Sequence, residues 1–336
     1  MMDAKVATLP MSLVTKAAGL LVLLGFAANG STCKETSNGG ATKDPSEVAD
    51  VNLTEVDSSM LTPREKKDWS GAVSDLLAPC PDVPVSIAQC VQEKRACKKC
   101  VPAAKFLVRQ VRDGRSRKQI DEAFHNRFDP SKVKNVELGN APTKGPSDAP
   151  ITIVEFPDFE CPVCGATYPM LEKVIDLKKD KVRFAYKFLA LPMHKNAEPA
   201  ARAGIAAIAQ GKFWEMHHKL FENQTRLSGP ELEGYAREVG LDVAKFKADK
   251  DGKEATDRLE ADKKQADVLG VKGTPTIYVN GREYDRSQDL LDWINMELDF
   301  LDIKSSPAPS ASSGAAAEAG APADAAKPSP ADAGKK

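Results

Sequence analysis

Three things are missing from this chain, and each absence excludes something. It has no surplus of charge. With 47 basic and 48 acidic side chains among 336 residues, it presents no electrostatic case for binding nucleic acid. It has no convincing membrane span. The apolar run Ala17 to Ala28 is short against the roughly 20 residues that a spanning helix needs. It also lacks the usual ligand pattern of a zinc site. His217 and His218 are adjacent and have no third ligand at metal-binding spacing, and in the cysteine cluster only Cys97-Lys98-Lys99-Cys100 has the form of a zinc half-site.

The hydrophobic content, 42%, is ample for a core, and the length suggests two folded units at most. Lys5 and Lys16 precede the 17–28 run, so residues 1–30 read as an export signal peptide. An uncleaved N-terminal anchor is the alternative. Export places the chain in the periplasm or cell envelope of a bacterium, where disulfides form and persist. Residues 31–60 are polar and aperiodic and read as a flexible linker. Cys33, shortly after the signal core, is either a lipid-bearing N-terminus or a free or intermolecular thiol. From residue 304 to 336, Ala, Pro, Ser and Gly dominate, the composition of a disordered tail.

Residues 61–130 read as a small all-helical module. Thr62-Pro63-Arg64-Glu65 is a capping box with proline at the first helical position. Further helices are expected near Val85 to Cys100, from Pro102 to Gly114, and after Ser116. The module carries Cys80, Cys90, Cys97 and Cys100. Two structural disulfides are the commonest outcome for such a cluster in an exported protein. Zinc binding, and a second redox pair at Cys97 and Cys100, are the other readings. Such a module could also serve dimerisation or partner docking.

The densest chemistry lies further on. The apolar run Ile151-Thr152-Ile153-Val154-Glu155-Phe156 leads into Cys161-Pro162-Val163-Cys164. Pro162 suits a first helical position, and Tyr168, Leu171, Val174 and Ile175 follow at helical spacing. A cysteine at a helix start is held as thiolate by the unpaired N–H groups and dipole there. A metal knuckle or a structural disulfide would use the same two residues. About a hundred residues later, Thr274-Pro275 opens the strand-like run Thr276 to Val279, and Asn280-Gly281 marks a two-residue hairpin. Glu155 has apolar neighbours on both sides, which predicts a buried carboxyl that holds its proton near neutral pH. Lys187, on the next strand, is its candidate partner. His194 is expected to make a loop-to-helix hydrogen bond.

Residues 136–303 resemble the DsbA-like thiol:disulfide oxidoreductases of the thioredoxin superfamily. Phe156, Asp158, Phe159, Cys161, Pro162 and Cys164, the Thr274-Pro275 pair and the acid Glu155 carry the resemblance. It implies an α/β thioredoxin fold with a helical insertion between its halves. It also implies roles. Cys161 is the exposed attacking thiol and Cys164 the buried resolving one. Pro275 lies cis against the dithiol, and Thr274 offers backbone groups to substrate. Glu155 exchanges the Cys164 proton. The expected function is exchange of disulfides with protein substrates, assisted by a redox partner and needing no cofactor or metal. A non-catalytic binding module or scaffold, with structural disulfides or zinc, is the competing reading.

Overall fold

The computed structural model describes residues 49–301. The export segment, Cys33, the linker as far as residue 48 and the 304–336 tail lie outside the described residues.

Four helices come first: α1 Pro63–Asp75, α2 Ile87–Gln92, α3 Cys100–Arg112 and α4 Arg117–Phe128. Their starts follow from local chemistry. Thr62 and Glu65 cap α1 reciprocally with Pro63 behind them, and Ser116 and Gln119 do the same for α4, satisfying N–H groups that the helix leaves open. The inner faces bring Trp69, Val73, Phe106, Leu107, Phe124 and Phe128 into one core. Leu53, Val56 and Leu61 join it, and the Val51 N–H donates to Ser70 Oγ at 3.0 Å. Val51, Leu53 and Val56 of the expected linker therefore pack on the helices. These apolar side chains follow no helix or strand period, so the sequence pattern does not reveal them.

The four cysteines of this module form two disulfides, Cys80–Cys97 and Cys90–Cys100. This corrects two of the expected readings. Cys97 and Cys100 are not each other's partners, because α3 begins at Cys100 and crosses α2 so that Cys100 meets Cys90. Cys97, in the connecting loop, meets Cys80. With all four sulfurs bonded, none is a thiolate ligand for zinc. Closing loops of 10 and 17 residues stabilises a small helical unit by about 3 kcal/mol each in the chain-entropy picture. Replacing Cys90 and Cys100 together by Ala is expected to lower urea-unfolding stability by about 2–3 kcal/mol. A loss below about 0.5 kcal/mol, the range of an ordinary surface change, would show that the crosslink does not stabilise the module.

The remaining elements are β1 Thr143–Lys144, β2 Ile151–Phe156, α5 Pro162–Leu177, β3 Val182–Tyr186, α6 Ala197–Ile208, α7 Phe213–Glu222, α8 Gly229–Glu238, α9 Val243–Lys250, α10 Lys253–Leu269, β4 Thr276–Val279, β5 Arg282–Glu283 and α11 Leu290–Phe300. The sheet order is β1-β3-β2-β4-β5. β2 and β3 are parallel, joined by the α5 crossover, and β4 returns antiparallel to β2. Helices α6 to α10 are inserted between β3 and β4, which gives a thioredoxin-like fold with a helical insertion. Asn280 and Gly281 both have positive φ, 48° and 78°, the turn geometry that suits a two-residue hairpin. Gly281 is required twice over, since a Cβ there would lie 2.3 Å from the Lys134 carbonyl oxygen.

The helical module and the sheet domain share a core at α11. Met296 and Phe300 pack with the module. Arg127 of α4 is 2% exposed, pairs with Glu297 at 2.6 Å and lies over the Trp293 ring at 4.2 Å. Burial, partly offset by Glu297, pulls the Arg127 guanidinium down to about 10. It stays charged at neutral pH, and its ion pair lies on the seam between the two parts.

Candidate active site

Strand β2 delivers the chain to a tight turn at residues 157–160, and α5 begins directly after it. Cys161 is the N-cap of α5, extended at φ −72° and ψ 120°, with Pro162 in the first turn. This position sets its sulfur where the first free N–H groups of the helix converge. The register of β2 with β4 pairs Phe156 with Thr276, which carries the preceding Thr274–Pro275 turn to the start of α5. The Thr274–Pro275 peptide bond is cis, and Cys161 Sγ donates to the Thr274 carbonyl oxygen at 3.5 Å. Cys161 is only 6% exposed, whereas the resemblance implied an exposed thiol, because this turn lies against it. Val163, the next residue but one, is exposed.

The two sulfurs sit in different surroundings. Burial pushes the Cys161 thiol up, but Thr274, the Cys164 and Val163 N–H groups and the Cys164 thiol outweigh it, and the net shift is downward. The Thr274 hydroxyl is itself buried with no hydrogen-bond partner among the described residues. Cys164, one turn further on, is fully buried and receives the Asp158 N–H at 3.4 Å. Burial drives its thiol up, and the charges of Glu155 and Cys161 add to that. The Cys161 thiol is therefore the easier of the two to ionise and the Cys164 thiol the harder.

Glu155 is 3% exposed on β2. Burial, and secondarily the charge of Glu172, push its carboxyl up to about 8. The candidate partner Lys187 is not paired with it. Glu155 stands opposite Tyr186 in the β2–β3 register, and successive strand residues point to opposite faces. Lys187 thus projects from the other side of the sheet, where its Nζ pairs with Asp262 at 3.0 Å.

Two further residues hold the turn before Cys161 in place, Asp158 from the motif that carries the resemblance and Gln224 from no motif. Asp158, 2% exposed, accepts from the N–H groups of Glu160 at 2.8 Å and Leu191 at 2.9 Å, and from His194 Nδ1 at 2.7 Å. A carboxylate only accepts, so that ring nitrogen carries the proton. Asp158 ties the turn before Cys161 to the loop holding His194, so the His194 ring bonds to a turn residue and not, as expected, to a helix. Gln224, from the loop after α7, donates through Nε2 to the carbonyls of Phe159 and Cys161 at 2.8 and 2.9 Å. Gly165 makes room for it, since a Cβ there would meet Gln224 Oε1 at 1.9 Å. Gln224→Ala is expected to cost about 1–3 kcal/mol in urea unfolding. In that background Gly165→Ala should become stabilising by up to about 1 kcal/mol, the ordinary helix preference. A Gly165→Ala change with the same effect in both backgrounds would show that the two residues do not interact.

Residues 137–296 match a family model described as Thioredoxin. The Na(+)/H(+) antiporter NhaA 3 of Salinispora tropica is 39% identical over 142 residues, covering 42% of this chain and 22% of that protein. NhaA of Herminiimonas arsenicoxydans is 38% identical over 146 residues, covering 44% and 23%. The chain thus spans less than a quarter of the length of these curated relatives, and ion transport is named for those proteins, not for this one. Among solved structures, oxidised BdbD from Bacillus subtilis is 25% identical, with a TM-score of 0.46 over 50% of this chain and 97% of that one. A thioredoxin-like oxidoreductase from Silicibacter pomeroyi is 30% identical, with a TM-score of 0.43 over 47% and 91%. The family match spans the sheet, the dithiol helix and the inserted helices between β3 and β4, so residues 137–296 form a thioredoxin-like domain that matches the Thioredoxin family model.

Proposed function

We propose that the chain is an exported protein thiol–disulfide oxidoreductase that works through Cys161 and Cys164. The observation that carries this reading is the Cys161 sulfur at the N-cap of α5, against the cis Thr274–Pro275 turn, with Cys164 buried one turn below. In the reducing direction, the Cys161 thiolate attacks one sulfur of a substrate disulfide. An enzyme–substrate S–S bond forms, the substrate S–S bond breaks, and the other substrate sulfur leaves as thiolate. The ionised fraction of Glu155 takes the Cys164 proton, and Cys164 attacks Cys161 Sγ. The second substrate sulfur leaves as thiolate and the enzyme holds a Cys161–Cys164 disulfide, two electrons having passed to the substrate. The reverse sequence oxidises a substrate dithiol, and a separate redox partner restores the starting state. Pro275 offers no N–H to compete, and Thr274 supplies backbone groups for an extended protein segment.

Export to the periplasm or cell envelope is supported by the Lys-flanked apolar run at 17–28 and by two disulfides in the helical module. No helix among the described residues is long and apolar enough to cross a membrane. Membrane attachment would therefore run through Cys33 or an uncleaved 1–30 segment.

Catalysed reduction of insulin by dithiothreitol tests the activity. A staple-only role for Cys161–Cys164, as in a binding module, predicts no catalysis and an ordinary thiol titration. Direction is a finer question. Val163 brings no positive charge to the thiolate, unlike the histidine of strongly oxidising relatives, so the pair should be a weaker oxidant than theirs. Val163→His is expected to raise the reduction potential measured against glutathione. An unchanged or lower potential would sink this account of direction.

A further inference from the structure

We infer that Glu172, His217 and His218 form a binding site for a divalent transition-metal cation of the Zn2+ class. Glu172 lies on α5 and the two histidines on α7. One potential ligand atom from each lies within 4.8 Å of the other two. In a tetrahedral shell with metal–ligand bonds of about 2.0–2.1 Å, ligand atoms stand about 3.4 Å apart. A contraction of up to about 1.4 Å at the side chains would close the shell.

A second observation points to a ligand. His217 is 2% exposed, yet its Nδ1 has no hydrogen-bond partner among the described residues. The rings around it, including Tyr186 at 5.2 Å and Phe221 at 4.9 Å between centroids, pack it on their edges and faces and leave that nitrogen unsatisfied. A buried polar atom left without a partner in a native structure calls for an explanation, and imidazole nitrogen with carboxylate oxygen is a donor set that zinc accepts.

The surroundings resemble the outer partners that orient metal ligands. The Tyr168 hydroxyl contacts His218 Nδ1, which leaves Nε2 of that ring for the metal. Lys144 Nζ pairs with Glu172 Oε2 at 2.8 Å. Its positive charge opposes a cation, but Lys144 is 32% exposed at its side chain and can turn to solvent. Three protein ligands leave one position for water or a further group, so the site is of the open kind.

Free thiols can bind soft metals, so the test uses the full chain with Cys161→Ser and Cys164→Ser, and Cys33 blocked by iodoacetamide. Titration calorimetry with Zn2+ should show one equivalent bound, and Co2+ should give the visible absorption of a four-coordinate site. Glu172→Gln and His218→Ala, both at partly exposed positions, should each weaken Zn2+ binding at least tenfold and abolish the Co2+ band, with far-UV circular dichroism unchanged. Where a substitution disturbs folding, Zn2+-dependent elevation of Tm in the parent chain stands as a separate readout, and its absence overturns the site. The proposal is likewise overturned if the blocked chain binds no metal, or binds it equally well after both substitutions.

Discussion

Cys161→Ser is expected to abolish thiol–disulfide exchange, with a loss of at least about a thousandfold in catalysed insulin reduction, because the attacking nucleophile is gone. Cys164→Ser should behave differently. The first attack survives and the mixed disulfide persists, so substrate stays covalently attached and is visible on a non-reducing gel. The asymmetry follows from the surroundings of the two sulfurs. Cys161 has the helix start and Thr274 on its side and is held below the ordinary thiol range, while burial keeps Cys164 protonated. Alkylation of the reduced protein should therefore label Cys161 alone. Its rate should fall as pH drops through a midpoint below that of a free thiol, about 8.5. Equal labelling of both cysteines, or a midpoint at or above the free value, would remove the basis for assigning attack to Cys161.

Much of this site was legible because its signals are local. A Cys-Pro-x-Cys helix start, an X-Pro at a strand entrance and an Asn-Gly turn each report the conformation of their own few residues. Glu155 was legible as a buried acid because both of its neighbours are apolar. What failed needed distance information. Lys187 sits one residue beyond Tyr186, and that single step moves it to the opposite face of the sheet, where Asp262 waits 75 residues along the chain. The two disulfides were expected, but their pairing was open in the sequence, because it depends on how α2 packs on α3. Gln224 reaches the turn before Cys161 from 63 residues away, and only the vacancy at Gly165 hints at it. The adjacent histidines lacked a third ligand in the sequence pattern because Glu172 comes from another helix. Leu53 and Val56 fell within an apparent linker because isolated apolar residues without a period give no element to recognise.

Glu155→Gln should make the protein more stable at alkaline pH and slower to release substrate. The folded carboxyl titrates at about 8, against an ordinary value of 4.5. A raised value means that the folded state prefers the protonated acid. Its favourable contribution is complete below pH 4.5 and drains away as pH rises through 8. A difference of about 3.5 units corresponds to roughly 5 kcal/mol once both states are ionised. Glutamine keeps the neutral shape and carries no such penalty. The variant and parent should therefore be nearly equal in urea unfolding at pH 4. The variant should lead by about 3 kcal/mol at pH 7 and by roughly 5 at pH 9. The comparison belongs in the Cys161→Ser, Cys164→Ser background, so that no dithiol titrates across the same range. A gap that does not widen with pH would mean that Glu155 is not buried as an acid. In the intact dithiol, the same substitution removes the group proposed to accept the Cys164 proton. Formation of the mixed disulfide should keep its rate while its resolution slows by about 10²–10⁴-fold, the usual worth of a positioned general base. Slowing of the first step as well would instead indicate that the substitution disturbs Cys161, through the strand that leads into its turn.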